Sequence, residues 1–376
     1  MHIVIASNFL NHHQLPLCRA FCAMPDVEFT FIATVPIEQE RLQMGYADMD
    51  HAYEFCLCAY DGAENERKAL EICRNCDILI VGSAPDRYVR VRNSKQKVTF
   101  FYSERLFKEK GLSLKTIPRW IKSVMKKPLY KNAYLLCASA FAAEDYAKTG
   151  NFKGRAFKWG YFPEVKHMDI DALMEKKVHD VPRLLWVGRM IDWKHPEAAI
   201  YVAKRLKEDG YDFNLDMIGG GEMKAVLQDS ICEKNLQEQV QLLGTMPPEQ
   251  VRECMEQSNI FLFTSDRGEG WGAVLNEAMN SGCAVVAANE IGSVPHLLKD
   301  GENGFIFQSE NWDSLYEKVK TLLDSEELCR VCGHAAYQTM AETWNAETAA
   351  RRLLELAEAL KSEKEALYTD VPCSRI

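Results

Sequence analysis

Ile260-Phe261-Leu262-Phe263 and, after four intervening residues, Gly268-Glu269-Gly270-Trp271-Gly272-Ala273-Val274-Leu275-Asn276-Glu277-Ala278-Met279 form the stretch that decides the fold. The apolar run reads as a buried strand. Three alternating glycines then precede a segment with helical character, so the order is strand, glycine loop, helix N-terminus. Such a terminus offers amides and the positive end of a helix dipole, which suit a phosphate. A diphosphate alone would not require Glu269 or Glu277. Carboxylates accept hydrogen bonds, so beside a phosphate cradle they hold hydroxyls, as on ribose or a sugar. The combination points to a nucleotide sugar.

Outward from this unit the same alternation continues. Strand-like runs in the second half fall at 183–187, 213–218, 240–243, 260–263, 284–287 and 304–307. In the first half they fall at 3–6, 27–32, 78–81, 98–102 and 134–137, with helical patterns such as 14–24 and 65–73 between them. Alternating β and α elements predict parallel sheets with right-handed crossovers, hence two doubly wound α/β domains. Ligands of such sheets bind beyond the carboxyl ends of the strands. The boundary is expected between 161 and 181, where Pro163, a charged segment and Pro182 separate the two series.

The glycine loop resembles the E-x7-E signature of the family 4 (group 1) glycosyltransferases, which are retaining enzymes of GT-B fold. Val187-Gly188-Arg189 followed by Lys194, Ile218-Gly219-Gly220-Gly221-Glu222, Gly282-Cys283-Ala284-Val285-Val286-Ala287 and Asp300-Gly301-Glu302-Asn303-Gly304-Phe305 resemble further motifs in the family's order. The resemblance implies two facing Rossmann-like domains with an inter-domain cleft. Residues 1–165 would form the acceptor side, completed by a C-terminal helix within 345–376. Residues 166–344 would bind the donor, a nucleoside diphosphate sugar. Arg189, Lys194 and Glu269 would be catalytic, the two cations holding the departing diphosphate. Glu277 would accept from the ribose hydroxyls. Gly270, Trp271, Gly272, Ala273, Gly219, Gly220 and Thr245 would border the donor. Gly219, Gly220 and Gly221 read almost as well as a bare turn. No cofactor and no metal are implied.

The first half departs from the family. Its first turn reads Ser7-Asn8-Phe9-Leu10-Asn11-His12-His13-Gln14, with no glycine. Asn11, His12 and His13 read either as contacts for an acceptor hydroxyl or a donor phosphate, or as a helix cap with Asn11 at the N-cap. Many members place a histidine at the cleft after the strand ending here at Tyr102. This chain has Ser103-Glu104-Arg105, where Glu104 either contacts a sugar or pairs with Arg105. Asp48-Met49-Asp50 and Asp169-Ile170-Asp171 imitate the D-x-D of metal-dependent transferases, but neither sits at a convincing strand end.

Hydrophobic content of 47% and charge of 26% over 376 residues fit a globular chain of two domains. The start enters a strand at once and no apolar run nears a membrane span, so a cytoplasmic protein is expected. Thirteen cysteines, an odd number among apolar neighbours, read as reduced thiols. The C-x-x-C pairs Cys73/Cys76 and Cys329/Cys332 read as buried thiols rather than a zinc site. Residues 105–131 carry nine Lys or Arg against one acid, +8; with −9 overall, the remainder carries −17. Leu112, Leu114, Ile117, Trp120, Ile121, Val124 and Met125 interleave with those cations. The pattern suits either a solvated helix or peripheral contact with anionic lipid at the inner face of the membrane. An acidic chain without a recognised motif is not expected to bind nucleic acid.

The expected function is thus retaining transfer of a sugar from a nucleoside diphosphate donor to a saccharide or lipid-linked acceptor, with bacterial surface-polysaccharide assembly as the setting the family implies. A nucleotide-sugar epimerase and a non-catalytic sugar-nucleotide-binding partner are the alternatives. Donor sugar, base, acceptor, linkage and oligomeric state are not legible.

Overall fold

The computed structural model describes residues 1–39, 42, 47–92, 97–109, 116–364 and 368–376. The chain divides into two compact units, Met1–Glu164 with Trp344–Ile376, and Val165–Thr343.

The first unit holds seven parallel strands: β1 His2–Ser7, β2 Glu28–Ala33, β3 Cys56–Cys58, β4 Ile78–Val81, β5 Val98–Ser103, β6 Tyr134–Cys137 and β7 Ala156–Lys158. Their order is β3-β2-β1-β4-β5-β6-β7. The order reverses direction between β1 and β4, which pair in parallel from Ile3↔Ile78 to Ala6↔Val81. Helices on both faces explain why β4, Ile-Leu-Ile-Val, is buried at every position.

The second unit holds six: β8 Arg183–Val187, β9 Asn214–Ile218, β10 Val240–Gly244, β11 Ile260–Phe263, β12 Ala284–Ala288 and β13 Phe305–Phe307. Their order is β10-β9-β8-β11-β12-β13, reversing between β8 and β11. Two doubly wound parallel sheets are therefore present, as the alternation predicts. The strands β3 and β7, three residues each, escape a reading by apolar runs. Both are short segments that borrow order from a longer neighbour.

The chain returns to the first unit through helix Ala346–Lys361. Asn345 caps it by accepting from the Thr348 amide at 2.8 Å. This helix packs on helix Leu15–Cys22. It ends at Lys361, inside the expected range 345–376, and residues 365–367 lie outside the described set. The last residues then cover the edge of β7: Lys158 N donates to Ser374 O at 2.8 Å and Ile376 N to Ala156 O at 3.0 Å. An open parallel edge is thereby closed.

Candidate active site

In the second unit the reversal point lies between β8 and β11, and the loops after these two strands carry the predicted cations and acid. The loop after β8 contains Gly188 to His195 and ends in a 3-10 turn, Asp192–Lys194. The loop after β11 runs through Thr264 to Ala273, the cap of helix Val274–Asn280. The two loops are tied through backbone and side chain together. Thr264 Oγ1 accepts from Trp186 Nε1 at 2.9 Å and donates to Lys194 O at 2.7 Å. Asp266 N donates to Trp193 O at 3.0 Å. Within the second loop, Gly268 N donates to Asp266 Oδ1 at 2.7 Å and Glu269 N to Asp266 O at 3.1 Å, a tight turn that aims Glu269 back at β8.

The result is a direct ion pair between Lys194 Nζ and Glu269 Oε2, with Ser265 Oγ donating to the same oxygen at 3.1 Å. Both side chains are largely withdrawn from solvent, 13% and 11% exposed. Lys194 Nζ also stands 4.7 Å from the Trp193 ring centre, and the Arg189 guanidinium 5.9 Å from that ring. Arg189 is exposed. Lys194 has three N–H donors and Glu269 occupies one direction of them, so cationic hydrogen-bonding capacity remains toward solvent.

His195 is a participant that sequence reasoning missed. It adopts φ +47°, in the left-handed region that favours glycine. Its Nδ1 lies 3.0 Å from Glu197 Oε1 and its Nε2 3.5 Å from Asp266 Oδ2. Asp266 and Glu197 raise its pKa to about 10. The unfolded value is near 6.5, so the pairing stabilises in full below that pH. The stabilisation falls between about 6.5 and 10, where only the folded state holds the proton, and is gone above it. Folding stability followed by urea titration across that range is expected to decline with rising pH, and His195→Ala to flatten the decline. An equally steep decline in the variant would remove His195 as its source.

Other predicted residues occupy distinct positions. The helix begins at Val274, after the last of the three glycines, and its seven residues give a weak dipole, so the cations dominate any anion binding here. Gly272 has φ +87°, and a Cβ on it would lie 2.4 Å from Phe263 Cζ, which fixes glycine there. Gly270 is buried. Trp271 is fully buried and donates through Nε1 to Asn276 Oδ1 at 2.9 Å, so its ring belongs to the core and not to a ligand wall. Glu277 lies next to Arg252, not next to Lys194; burial pushes its carboxyl pKa up, and Arg252 opposes the rise. Arg252 donates to Glu277 O at 3.1 Å and to Asn280 Oδ1 at 2.6 Å. Gly220 and Thr245 face each other, and a Cβ on Gly220 would lie 3.3 Å from Thr245 Oγ1. Gly219 packs on Gly188 instead.

In the first unit, the polar residues after β1, β4 and β5 enclose a cavity of about 500 Å³. Asn11, His12, His13 and Glu104 all line it. His12 and His13 stand with ring centres 3.8 Å apart, and His13 stacks on Tyr161 at 6.1 Å. Burial lowers both pKa values, His13 to about 3 with a further push from His12. Neutral imidazoles present one donor and one acceptor each, which suits hydroxyls better than phosphate. Asn11 does not cap the helix: Gln14 stands at that position, and Asn11 Oδ1 accepts from the amides of His13 and Gln14 at 3.0 and 3.2 Å. Glu104 does not pair with Arg105. Its Oε1 accepts from Tyr161 Oη at 2.7 Å and its Oε2 meets Lys108 Nζ at 3.0 Å. An i,i+4 partner wins over the adjacent residue, whose side chain points elsewhere.

Asp50 and Asp169 of the two D-x-D tripeptides have structural duties. Asp50 accepts from Leu10 N at 2.7 Å and from Tyr60 Oη at 3.0 Å, and Asp169 caps helix Ile170–Glu175. Among the described residues, His51, Cys58 and Asp61 bring atoms of metal-ligand type within 4.8 Å of one another. Cys73, Cys76 and Cys332 are buried and Cys329 partly so, all as free thiols.

Residues 169–339 match the family model described as Glycosyl transferases group 1. A similar curated protein is the N-acetylgalactosamine-N,N'-diacetylbacillosaminyl-diphospho-undecaprenol 4-alpha-N-acetylgalactosaminyltransferase of Campylobacter jejuni, 30% identical over 47% of this chain and 46% of its own. Another is the amylovoran biosynthesis glycosyltransferase AmsK of Erwinia amylovora, 28% identical over 54% of this chain and 50% of its own. The chain thus spans about half the length of these relatives. Among solved structures, the lipopolysaccharide outer core galactosyltransferase WaaB superposes with TM-score 0.69 at 14% identity, covering 96% of this chain and 100% of that one. HepE of Anabaena, solved with UDP, gives 0.66 at 14% over 95% and 99%. These likenesses extend the GT-B fold over nearly the whole chain. The second unit, with Lys194 and Glu269 at its sheet reversal, is accordingly matched in sequence to the glycosyl transferases of group 1.

Proposed function

We propose that the chain is a retaining glycosyltransferase of family 4 that takes its sugar from a nucleoside diphosphate donor without a metal ion. The observation that carries the reading is the Lys194–Glu269 pair at the reversal point, with Arg189 beside it. An anion arriving there meets two cations held in place by the loop ties, which need no reorganisation as the diphosphate leaves. Arg189 offers a forked guanidinium and Lys194 a point charge. Glu269 orients Lys194 and accepts from a hydroxyl of the transferred sugar, while Glu277 accepts from the ribose. The leaving diphosphate oxygen takes the proton of the acceptor hydroxyl, so no dedicated base is required.

The acceptor, a saccharide or a lipid-linked saccharide, binds in this reading to the cavity of His12, His13 and Glu104. Neutral imidazoles and a carboxylate fixed by Tyr161 and Lys108 are groups that grip hydroxyls. Polysaccharide assembly is the setting named for AmsK. The basic segment meets anionic lipid peripherally: Ile117, Trp120, Ile121 and Met125 are exposed on helix Thr116–Met125 beside Arg119 and Lys122. Lys110, Leu112, Leu114 and Lys115 of that segment lie outside the described residues. No helix among the described residues is long and apolar enough to cross a membrane.

The test is incubation with a panel of nucleotide sugars, with and without saccharide acceptors, in the presence of a chelator. Nucleoside diphosphate release that rises with acceptor and survives chelation is expected. Conversion of the sugar without acceptor would mark an epimerase, and binding without turnover a silent partner.

A further inference from the structure

We infer that the first unit contains a second anion site, a cavity walled by Arg105, Lys108, Arg119, Lys122 and Lys126, which takes a phosphate or diphosphate group. The inference rests on the reading above only for the source of that group, the acceptor.

The cavity measures about 380 Å³, and Leu106, Ser123, Tyr130 and Tyr146 complete its wall. Among the described residues, its wall contains five cations and no carboxylate. The acids that hold these cations stand outside it: Glu104 at 3.0 Å from Lys108, Glu109 at 2.8 Å from Arg119, Asp86 at 2.6 Å from Lys126. Each acid uses part of its partner's donor set, since a guanidinium carries five N–H groups and an ammonium three. The five cationic side chains line this one cavity. Arg105 is held most firmly, its side chain 6% exposed, stacked 4.6 Å from the Phe141 ring centre and 3.8 Å from Asp145. Lys122 makes no ion pair among the described residues. A buried guanidinium among several lysines gives a local positive potential that favours an anion, and phosphate oxygens match the fork of an arginine.

Two neighbours say what the anion is attached to. Lys126, Tyr130 and Tyr146 line both this cavity and the one holding His12, His13 and Glu104. On the helix that supplies Arg119 and Lys122, Trp120 is 46% exposed and Met125 75%. A saccharide diphosphate ester of an apolar alcohol therefore finds its three parts served in sequence: hydroxyl-binding cavity, cationic cavity, apolar helix face. Free phosphate would use the cationic cavity alone.

The test uses the full chain with Arg189→Gln and Lys194→Gln, which removes the two cations of the second unit's candidate site. Inorganic pyrophosphate and farnesyl diphosphate are titrated calorimetrically into this background. Added Lys108→Gln with Arg119→Gln is expected to weaken both ligands by about tenfold or more. Lys127→Gln with Lys131→Gln removes the same charge from the same segment outside the cavity wall and is expected to change them less than about threefold. Tighter binding of farnesyl diphosphate assigns a lipid source, and equal binding a free phosphate; either supports the site. Absence of binding in the background, or equal losses in the two pairs, overturns it. Vesicles of phosphatidylcholine with phosphatidylglycerol are the arm for the general lipid contact, which neutralising Lys122, Lys126 and Lys127 should abolish. Nucleotide release by the parent chain is scored separately, so a silent donor site and a missing anion site give different results.

Discussion

Lys194→Ala is expected to lower sugar transfer by about 10²–10³-fold while the chain stays folded, the range found when one preorganised donor is removed from a developing charge. It should also weaken binding of a nucleoside diphosphate, because the ground-state diphosphate already carries the charge that Lys194 faces. Glu269→Ala should cost transfer on a similar scale but leave nucleoside diphosphate affinity unchanged or improved, since Lys194 is then released from its carboxylate. A purely structural ion pair predicts something else. Breaking a well-buried pair from either side costs about 3–5 kcal/mol of stability, and both variants would then lose melting temperature and activity together. Here Ser265 still donates to Glu269 when Lys194 is gone, and the Thr264 and Asp266 backbone ties hold the two loops in either variant. Steady-state transfer, nucleoside diphosphate titration and thermal melting on the two variants separate the cases. Near-normal turnover in both would end the catalytic assignment.

Much of this arrangement was legible in the sequence, for a physical reason. Strands of a parallel sheet covered on both faces are continuous apolar runs, so Ile260–Phe263 and Ile78–Val81 read correctly to the residue. Cys56–Cys58, an edge strand of three residues, was not read. The glycine loop and the two acids were visible as a motif. What surrounds them was not. His195, Ser265 and Asp266 gained their roles from the adjacency of β8 and β11, which is set by sheet order and not by any local spacing. The left-handed backbone at His195 has no sequence signal either, since the residue there is not glycine. In the first unit, Asn11, His12, His13 and Glu104 were chosen from their positions after strands, and one cavity collects all four. Their detailed partners differ from expectation because a side chain at i+4 or a tyrosine 57 residues away competes with the nearest charge.

The glycines after β9 separate these levels most sharply, and they carry the other large prediction. Read as a sequence, Gly219, Gly220 and Gly221 are equivalent candidates for admitting a nucleotide. In the fold they are not. A Cβ on Gly219 would lie 1.8 Å from Gly188 O, and one on Gly221 2.4 Å from Met190 O. Their φ values, +135° and +152°, are ones an L side chain rarely adopts. The obstacle is backbone, and it cannot yield, because Gly219 N donates to Gly244 O at 2.7 Å, Met190 N to Gly220 O at 2.8 Å and Met223 N to Met190 O at 3.0 Å. These bonds link the ends of β8, β9 and β10, so moving one loop breaks the others. Gly219→Ala is therefore expected to cost more than about 4 kcal/mol, a large share of the roughly 5–15 kcal/mol that holds a domain together. Gly220→Ala is the contrast, because its Cβ meets only the exposed Thr245 hydroxyl at 3.3 Å, which can rotate away. That variant should unfold within about 1 kcal/mol of the parent and reveal any loss of nucleoside diphosphate affinity without a change of fold. Urea titrations of the two variants decide it: equal midpoints would mean that the three loops are far softer than their hydrogen bonds imply, and the rigid mounting of Arg189 and Lys194 would lose its foundation.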